Sequence, residues 1–208
     1  MPIKCSLKHE RRLREQGCVF VVGIDEAGRG PLAGPVMAAV VLLPEKFRHR
    51  TLTDSKKLTH VQREEIYEQL TGGLAIHWAV ASAEVEEIDR INILRATHQA
   101  MRRALAALPI VPHHALIDGL PVRPFPIQQT ALVKGDALSF SIAAASVIAK
   151  VTRDRHMVEM DAAHPGYEFA RHKGYGTPEH LAKLRAHGPC PIHRKSFLPV
   201  QQALLPFA

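Results

Sequence analysis

The sequence predicts an α/β fold, with a mixed central sheet flanked by helices and a helical part added at the C-terminus. Two observations predict it: short β-branched and apolar runs lead the chain, and capped or amphipathic helical stretches fill its middle and end. A third sets its scale. No repeat, low-complexity tract or linker divides the 208 residues, a length suited to one domain or to one domain with a small appendage.

The elements follow in order. Residues 19–24 (VFVVGI) form a β-branched run that ends at Asp25-Glu26. Residues 34–43 (GPVMAAVVLL) are almost wholly apolar, as expected of a strand covered on both faces. Residues 74–82 read as a third strand, 115–117 as a fourth entering Asp118, and 127–133 as a fifth. Thr59 followed by Gln62 is a capping-box pattern that opens a helix to about Leu70. Asn92 can cap a longer helix in which Leu94, Met101, Leu105 and Leu108 recur at helical spacing, with Pro109 at its end. Residues 138–160 begin apolar all round and turn charged, as in a helix that enters the core and exits to solvent. Residues 178–186 form a short charged helix.

Composition narrows the function classes. An apolar fraction of 46% fills a core, and no run of eighteen apolar residues suggests a membrane span. The basic N-terminus lacks the apolar centre of a secretory signal, and Cys5, Cys18 and Cys190 have no CxxC pairing, so reduced thiols in a cytoplasmic protein are expected. A formal charge of +7 suits a polyanionic partner.

Four carboxylates stand where core elements end. Asp25 and Glu26 follow one strand, Asp118 follows another, and Asp136 opens the apolar helix. Strand ends of an α/β sheet converge on one crevice. Carboxylates gathered there repel one another and call for Mg²⁺ or Mn²⁺, and two such ions about 4 Å apart can activate a water and stabilise the leaving oxygen of a phosphodiester. Adjacent strand residues point to opposite faces, so Asp25 and Glu26 share a site only if the strand ends or bends there. Each acid also has a plainer role open to it: Asp136 as a helix cap, Asp118-Gly119 as a turn. Two acids directly after VFVVGI are harder to place without a ligand.

The following AGRGPLAG has neither P-loop nor dinucleotide spacing. Gly28 and Gly30 would let the backbone approach a sugar closely, where a ribose 2′-OH separates RNA from DNA; the plainer alternative is a tight connection between strands whose glycines serve only the backbone. Lys56 and Lys57 in DSKK precede a helix and offer a phosphate site. Tyr175 within RHKGYGT interleaves an aromatic with basic groups, and HRKSF (193–197) adds a second basic cluster. The histidines at 164, 172, 180, 187 and 193 show no zinc-ligand pairing.

Taken in order, IDEAGRGPLAGPV, TDSKKL, INILRATHQAM, the Asp118 segment, KGDALSFSIAAASVIAKVTRDR, HKGYGTPEH and GPCPIHRKSF resemble the blocks of bacterial ribonuclease HII, a type 2 ribonuclease H, from about Val19 to Pro199. The resemblance implies a ribonuclease H-like fold, with a catalytic domain at 18–164 and a helical extension at 165–208 that contributes to nucleic-acid binding; residues 1–17 lie outside the resemblance and are expected to be a mobile basic arm. It implies an endonuclease acting on RNA–DNA hybrids and 5′ of single ribonucleotides in duplex DNA, leaving 3′-hydroxyl and 5′-phosphate ends. In that family the acids matching Asp25, Glu26, Asp118 and Asp136 hold two Mg²⁺ or Mn²⁺ ions. The residues matching Gly28, Arg29 and Gly30 read the 2′-OH, the tyrosine matching Tyr175 packs on the next deoxyribose, and Lys56 and Lys57 contact phosphates. Two departures stand out: Leu120-Pro121 in place of a small polar residue, and Cys190 in place of serine.

Two rival readings are separable. A branched-DNA resolvase would share the metal logic but has no reason to carry the glycine–arginine–glycine and Tyr175 pair. A non-catalytic basic module would bind no Mn²⁺ near the acids. Gln201, Leu204 and Phe207 also match the loose Q-x-x-L-x-x-F spacing that docks enzymes on sliding clamps, against the plainer alternative of a last helical turn packed on the domain. A monomer is expected.

Overall fold

The computed structural model describes residues 5–204. Five strands, β1 (Val21–Ala27), β2 (Val36–Leu42), β3 (His77–Ala83), β4 (His114–Asp118) and β5 (Gln128–Leu132), form one sheet in the order β3-β2-β1-β4-β5. β1 pairs antiparallel with β2 and parallel with β4, and β5 runs parallel to β4. The sheet is therefore mixed, as the sequence predicts. Every residue of β2 is buried, which is what its unbroken apolar run demands.

Helices cover both faces. Against one lies the 24-residue α5 (Phe140–Ala163), with α2 (His60–Thr71) outside it; Ala39, Val41, Ile66, Leu70, Ala144 and Ile148 share that core. A Cβ on Gly23 would come within 2.0 Å of the Ser141 backbone, so glycine is what lets α5 cross β1 there. Against the other face lies α4 (Ile93–Ala106), preceded by α3 (Val85–Ile91); Val22, Ile24, Val40, Ala100, Met101 and Leu105 fill that layer. Leu94, expected on the buried stripe, is 47% exposed, because the inward face of α4 is set by Ala96, Thr97, Ala100 and Ala104. The helix caps match the expected residues: Thr59 and Gln62 form the capping box of α2, and Asn92 accepts from the Arg95 amide. The C-terminal part carries α6 (Phe169–His172), α7 (Pro178–His187) and α8 (Leu198–Leu204).

The N-terminal segment departs from the expected mobile arm. Residues 8–15 form α1 (Lys8–Glu15), and Cys5, Leu7 and Glu10 are buried against the body. Glu10 accepts bonds from the Ser141 amide at 3.0 Å and from the Ser139 hydroxyl at 2.6 Å, as well as from the Ser141 hydroxyl. The buried Glu10 carboxylate, helped by an Arg14 bond to the Leu43 carbonyl at 3.0 Å, docks a helix of mostly basic residues. No helix among the described residues is long and apolar enough to cross a membrane.

Candidate active site

The register of the sheet assembles the acids. β1 and β4 run parallel with Ile24 beside Ile117, and continuing that register sets Asp25 beside Asp118 on the α5 face. Asp136 arrives from a 3-10 turn at Gly135–Ala137, just before α5. One carboxylate oxygen from each of Asp25, Asp118 and Asp136 lies within 4.8 Å of the others. Asp118 is fixed by the Gly135 amide, which donates to its Oδ1 at 2.7 Å, while the Glu26 amide donates to Asp25 Oδ1 at 2.7 Å. Asp136 is not the cap of α5; Ser139 is, accepting from the Ile142 amide. That leaves the Asp136 carboxylate for the crevice.

Glu26 sits differently. β1 neither ends nor bends at the acids but continues to Ala27, so alternation turns Glu26 to the α4 face, outside the close triad. It lies on the rim of the same cleft, beside Asp118, His98 and Thr97, and accepts from Arg29 Nη1 at 3.2 Å. A neighbouring acid not expected from the sequence is Asp54, which caps the 3-10 turn Ser55–Lys57 and sits against Asp136.

The electrostatics calls for a cation. Burial, then the charges of Glu26 and Asp118, push the Asp25 carboxyl well above its ordinary range. Burial also raises Glu26, with Arg29 pulling it back. Asp136 is pushed up to about 6 by burial, Asp118 and Asp54. Converging oxygen donors, with Asp25 and Asp136 buried and their charged forms disfavoured, fit a hard divalent ion, which would relieve both at once.

The remaining predicted residues ring this crevice. Lys56 is near enough to favour the charged forms of Glu26 and Asp136, while Lys57 is exposed on the same turn. Arg29 and Gly30 are exposed at the tip of the 28–35 loop. Gly28 is buried, and a Cβ there would come within 2.1 Å of Arg153 Nε at a φ of +98°. Its lack of a side chain thus serves loop packing, whereas Gly30 faces open space. Tyr175, 40% exposed, lies under Lys150 Nζ at 5.3 Å and beside the Arg153 guanidinium at 5.8 Å.

Two arginines that sequence reasoning placed on the surface are fully buried and hold this ring together. Arg153 donates to the carbonyls of Pro35, Ala33 and Lys173. Arg194, in the second basic cluster of the sequence, donates to those of Gly34, Arg29 and Gly28. Five carbonyls of the 28–35 loop are thereby turned inward. The only sequence signal was position: Arg153 lies seven residues after Ser146 and four before Met157, on the stripe of α5 that meets Ser55 through Ser146.

Three histidines lock the Tyr175 side. His180 and His193 meet Nε2 to Nε2 at 3.0 Å, and His180 stacks on His172 with ring centroids 4.3 Å apart. His180 Nδ1 faces the Tyr175 carbonyl at 2.9 Å, so it donates there and accepts from His193. His193 Nδ1 then accepts from the Cys190 amide at 3.0 Å. The chain of bonds requires neutral rings, and burial pushes both His180 and His193 down to about 4.

A mixed sheet whose adjacent central strands deliver acids to one crevice defines a metal-dependent α/β hydrolase of the ribonuclease H-like class. The comparisons with known proteins make the assignment specific. The sequence model of Ribonuclease HII matches residues 22–200. The ribonuclease HII of Desulfitobacterium hafniense is 54% identical over 202 residues, covering 97% of this chain and 77% of that protein. The Myxococcus xanthus protein is 52% identical over 198 residues, covering 95% and 68%. Among solved structures, ribonuclease H2 from Pyrococcus horikoshii aligns with a TM-score of 0.74 at 28% identity, over 89% of this chain and 97% of that one. Ribonuclease HII of Archaeoglobus fulgidus, solved as a complex with PCNA, aligns with a TM-score of 0.69 at 26% identity, over 85% and 94%. The chain belongs to the ribonuclease HII family and is a divalent-metal-dependent endoribonuclease acting on RNA–DNA hybrids.

Proposed function

We propose that the enzyme cleaves hybrids and also incises duplex DNA 5′ of single embedded ribonucleotides, using two Mg²⁺ or Mn²⁺ ions and leaving 3′-hydroxyl and 5′-phosphate ends. The observation that carries the reading is the set of three carboxylates within 4.8 Å, two buried and Asp118 half-buried, without an ion-pair partner among the described residues. Asp25, Asp118 and Asp136 would hold the ions, with Glu26 closing the α4 side of the cleft. The ions would supply Lewis acidity to an incoming water and to the leaving oxygen. The protein's own part is positioning: the Gly135 amide fixes Asp118, and Arg29 holds Glu26.

Junction recognition is assigned to Gly28, Arg29 and Gly30, with Tyr175 against the following sugar and Lys56 and Lys57 on phosphates. Support comes from Arg153, which touches the glycine loop and lies beside the tyrosine, setting both at fixed separation. The test is metal-dependent cutting of a duplex carrying one ribonucleotide, beside an all-DNA duplex and an RNA–DNA hybrid. Incision at the ribonucleotide with a 5′-phosphate product is expected; cleavage of the hybrid alone would overturn the junction reading. Arg29→Ala should lose the preference for the single ribonucleotide over plain DNA.

A second interaction is proposed at α8. Gln201 and Leu204 are exposed one turn apart while Val200 is buried, which leaves the first two residues of the clamp-docking spacing outward; Phe207 lies outside the described residues. Deleting residues 204–208 should abolish binding to a sliding clamp, and unaltered binding would remove the idea.

A further inference from the structure

Away from the acids, a groove runs between α1 and the 44–50 loop. Two adjoining cavities of about 550 and 350 Å³ make it, and Arg11 and Arg48 line both. Lys8 and Arg50 complete the rim of the larger one, over a floor that includes Phe47 and Phe140. Among the described residues no carboxylate lines that larger cavity, while Glu15 and Glu45 line the smaller one beside Arg11, Lys46 and Arg48. Lys8, Arg11, Lys46, Arg48 and Arg50 enter no ion pair among the described residues, whereas Arg103 and Arg155 elsewhere on the surface are each matched to glutamates. Lys8, Arg11, Arg48 and Arg50 around the larger cavity are like charges that repel, and a bound polyanion removes that cost.

The groove is joined to the active site. The segment that anchors α1 pairs with the start of α5: the Ser6 amide donates to the Leu138 carbonyl, and the Phe140 amide to the Ser6 carbonyl. Cys5 Sγ lies 3.9 Å from the Asp136 carbonyl oxygen. The groove floor thus begins on the same turn that carries one of the crevice acids. Lys8 and Arg11 stand one turn apart on the groove side of α1, about 4.5 Å along its axis, facing Arg48 and Arg50 across the cavity, whereas Arg14 is turned inward onto the Leu43 carbonyl.

We propose that this groove is a second phosphate-tracking surface, which holds the duplex flanking the cleavage site. The inference rests on the acid crevice being that site. Its contacts are charge to phosphate, so it would add affinity without sequence preference.

Equilibrium binding by fluorescence anisotropy, in EDTA so that nothing is cut, tests it on a long duplex carrying one ribonucleotide and on a long all-DNA duplex. The triple variant Arg11→Ala, Arg48→Ala, Arg50→Ala should bind both about tenfold more weakly, with the slope of log K against log salt reduced by about two to three. The matching triple lysine variant keeps the charge and should keep the wild-type slope. Wild-type affinity and slope in the alanine variant would overturn the groove, as would a lysine variant that loses slope equally. If alanine impairs folding, the triple glutamine variant is read in its place. Because the all-DNA probe needs no cleavage, the groove can stand or fall separately from the junction reading.

Discussion

On one side of the 28–35 loop, Asp25, Asp118 and Asp136 crowd three carboxylates together with no ion-pair partner among the described residues. On the other, Arg153 and Arg194 bury two guanidiniums with no carboxylate bonded to either, yet each spends its donors on three backbone carbonyls. Both regions bury charge of one sign. One is saturated by its own chain and the other is not. Buried charge therefore marks a ligand site only where the fold leaves it unsatisfied, and the saturated partner is the scaffold that sets the loop between them.

The comparison breaks most visibly at Asp25. Asp25→Asn should lower cleavage by about a thousandfold or more, close to 4 kcal/mol in the barrier, while hybrid binding persists. Because the carboxylate is held uncomfortably, its removal should also raise the melting temperature of the metal-free protein. A destabilised Asn variant would mean that the acids are structural. Arg194→Met should do the reverse, costing about 3–5 kcal/mol in urea unfolding by orphaning three inward carbonyls. Arg29→Ala, at the exposed tip, should stay within about 0.5 kcal/mol. Equal losses at the two arginines would contradict the distinction between a scaffold and a contact residue.

The same contrast governs what was legible in the sequence. Signals carried by neighbouring residues were readable: the Thr59–Gln62 box, the apolar run of β2 and the placement of acids at strand ends all rest on local chemistry. Arg153 and Arg194 were not, since a basic residue among basic residues looks solvated until the carbonyls of the 28–35 loop that it meets, 118 to 166 positions away, are in place. Residues 8–15 (KHERRLRE) likewise show no apolar stripe, because Glu10 docks α1 through serines 129 and 131 residues on. Glu26 is an intermediate case. Strand alternation set a condition on its sharing a site with Asp25, the strand ending or bending at the acids, and β1 instead continues to Ala27.

The histidine ladder sharpens the saturated side. His180 and His193 have folded values near 4 against 6.5 when unfolded, so their contribution is complete above 6.5 and is lost as pH falls from there toward 4. A loss on the order of 2–3 kcal/mol across that window is expected for the wild type. His193→Gln should flatten it, and a melting profile with unchanged pH slope would show that other groups set the acid limit.

The smallest effect on folding separates the two glycines of the loop. Gly28→Ala forces a Cβ against Arg153 at positive φ and should cost a few kcal/mol, about 1–3 from backbone strain alone. At Gly30 a Cβ would meet nothing within 4 Å. Gly30→Ala should thus leave stability within about 0.5 kcal/mol or raise it slightly, by restricting the unfolded chain. Any change in its discrimination between a ribonucleotide junction and plain DNA then comes from the substrate side of the loop, because the arginine side is untouched. Unchanged discrimination would move the reading of the 2′-OH away from Gly30, onto Arg29 and the backbone of Gly28.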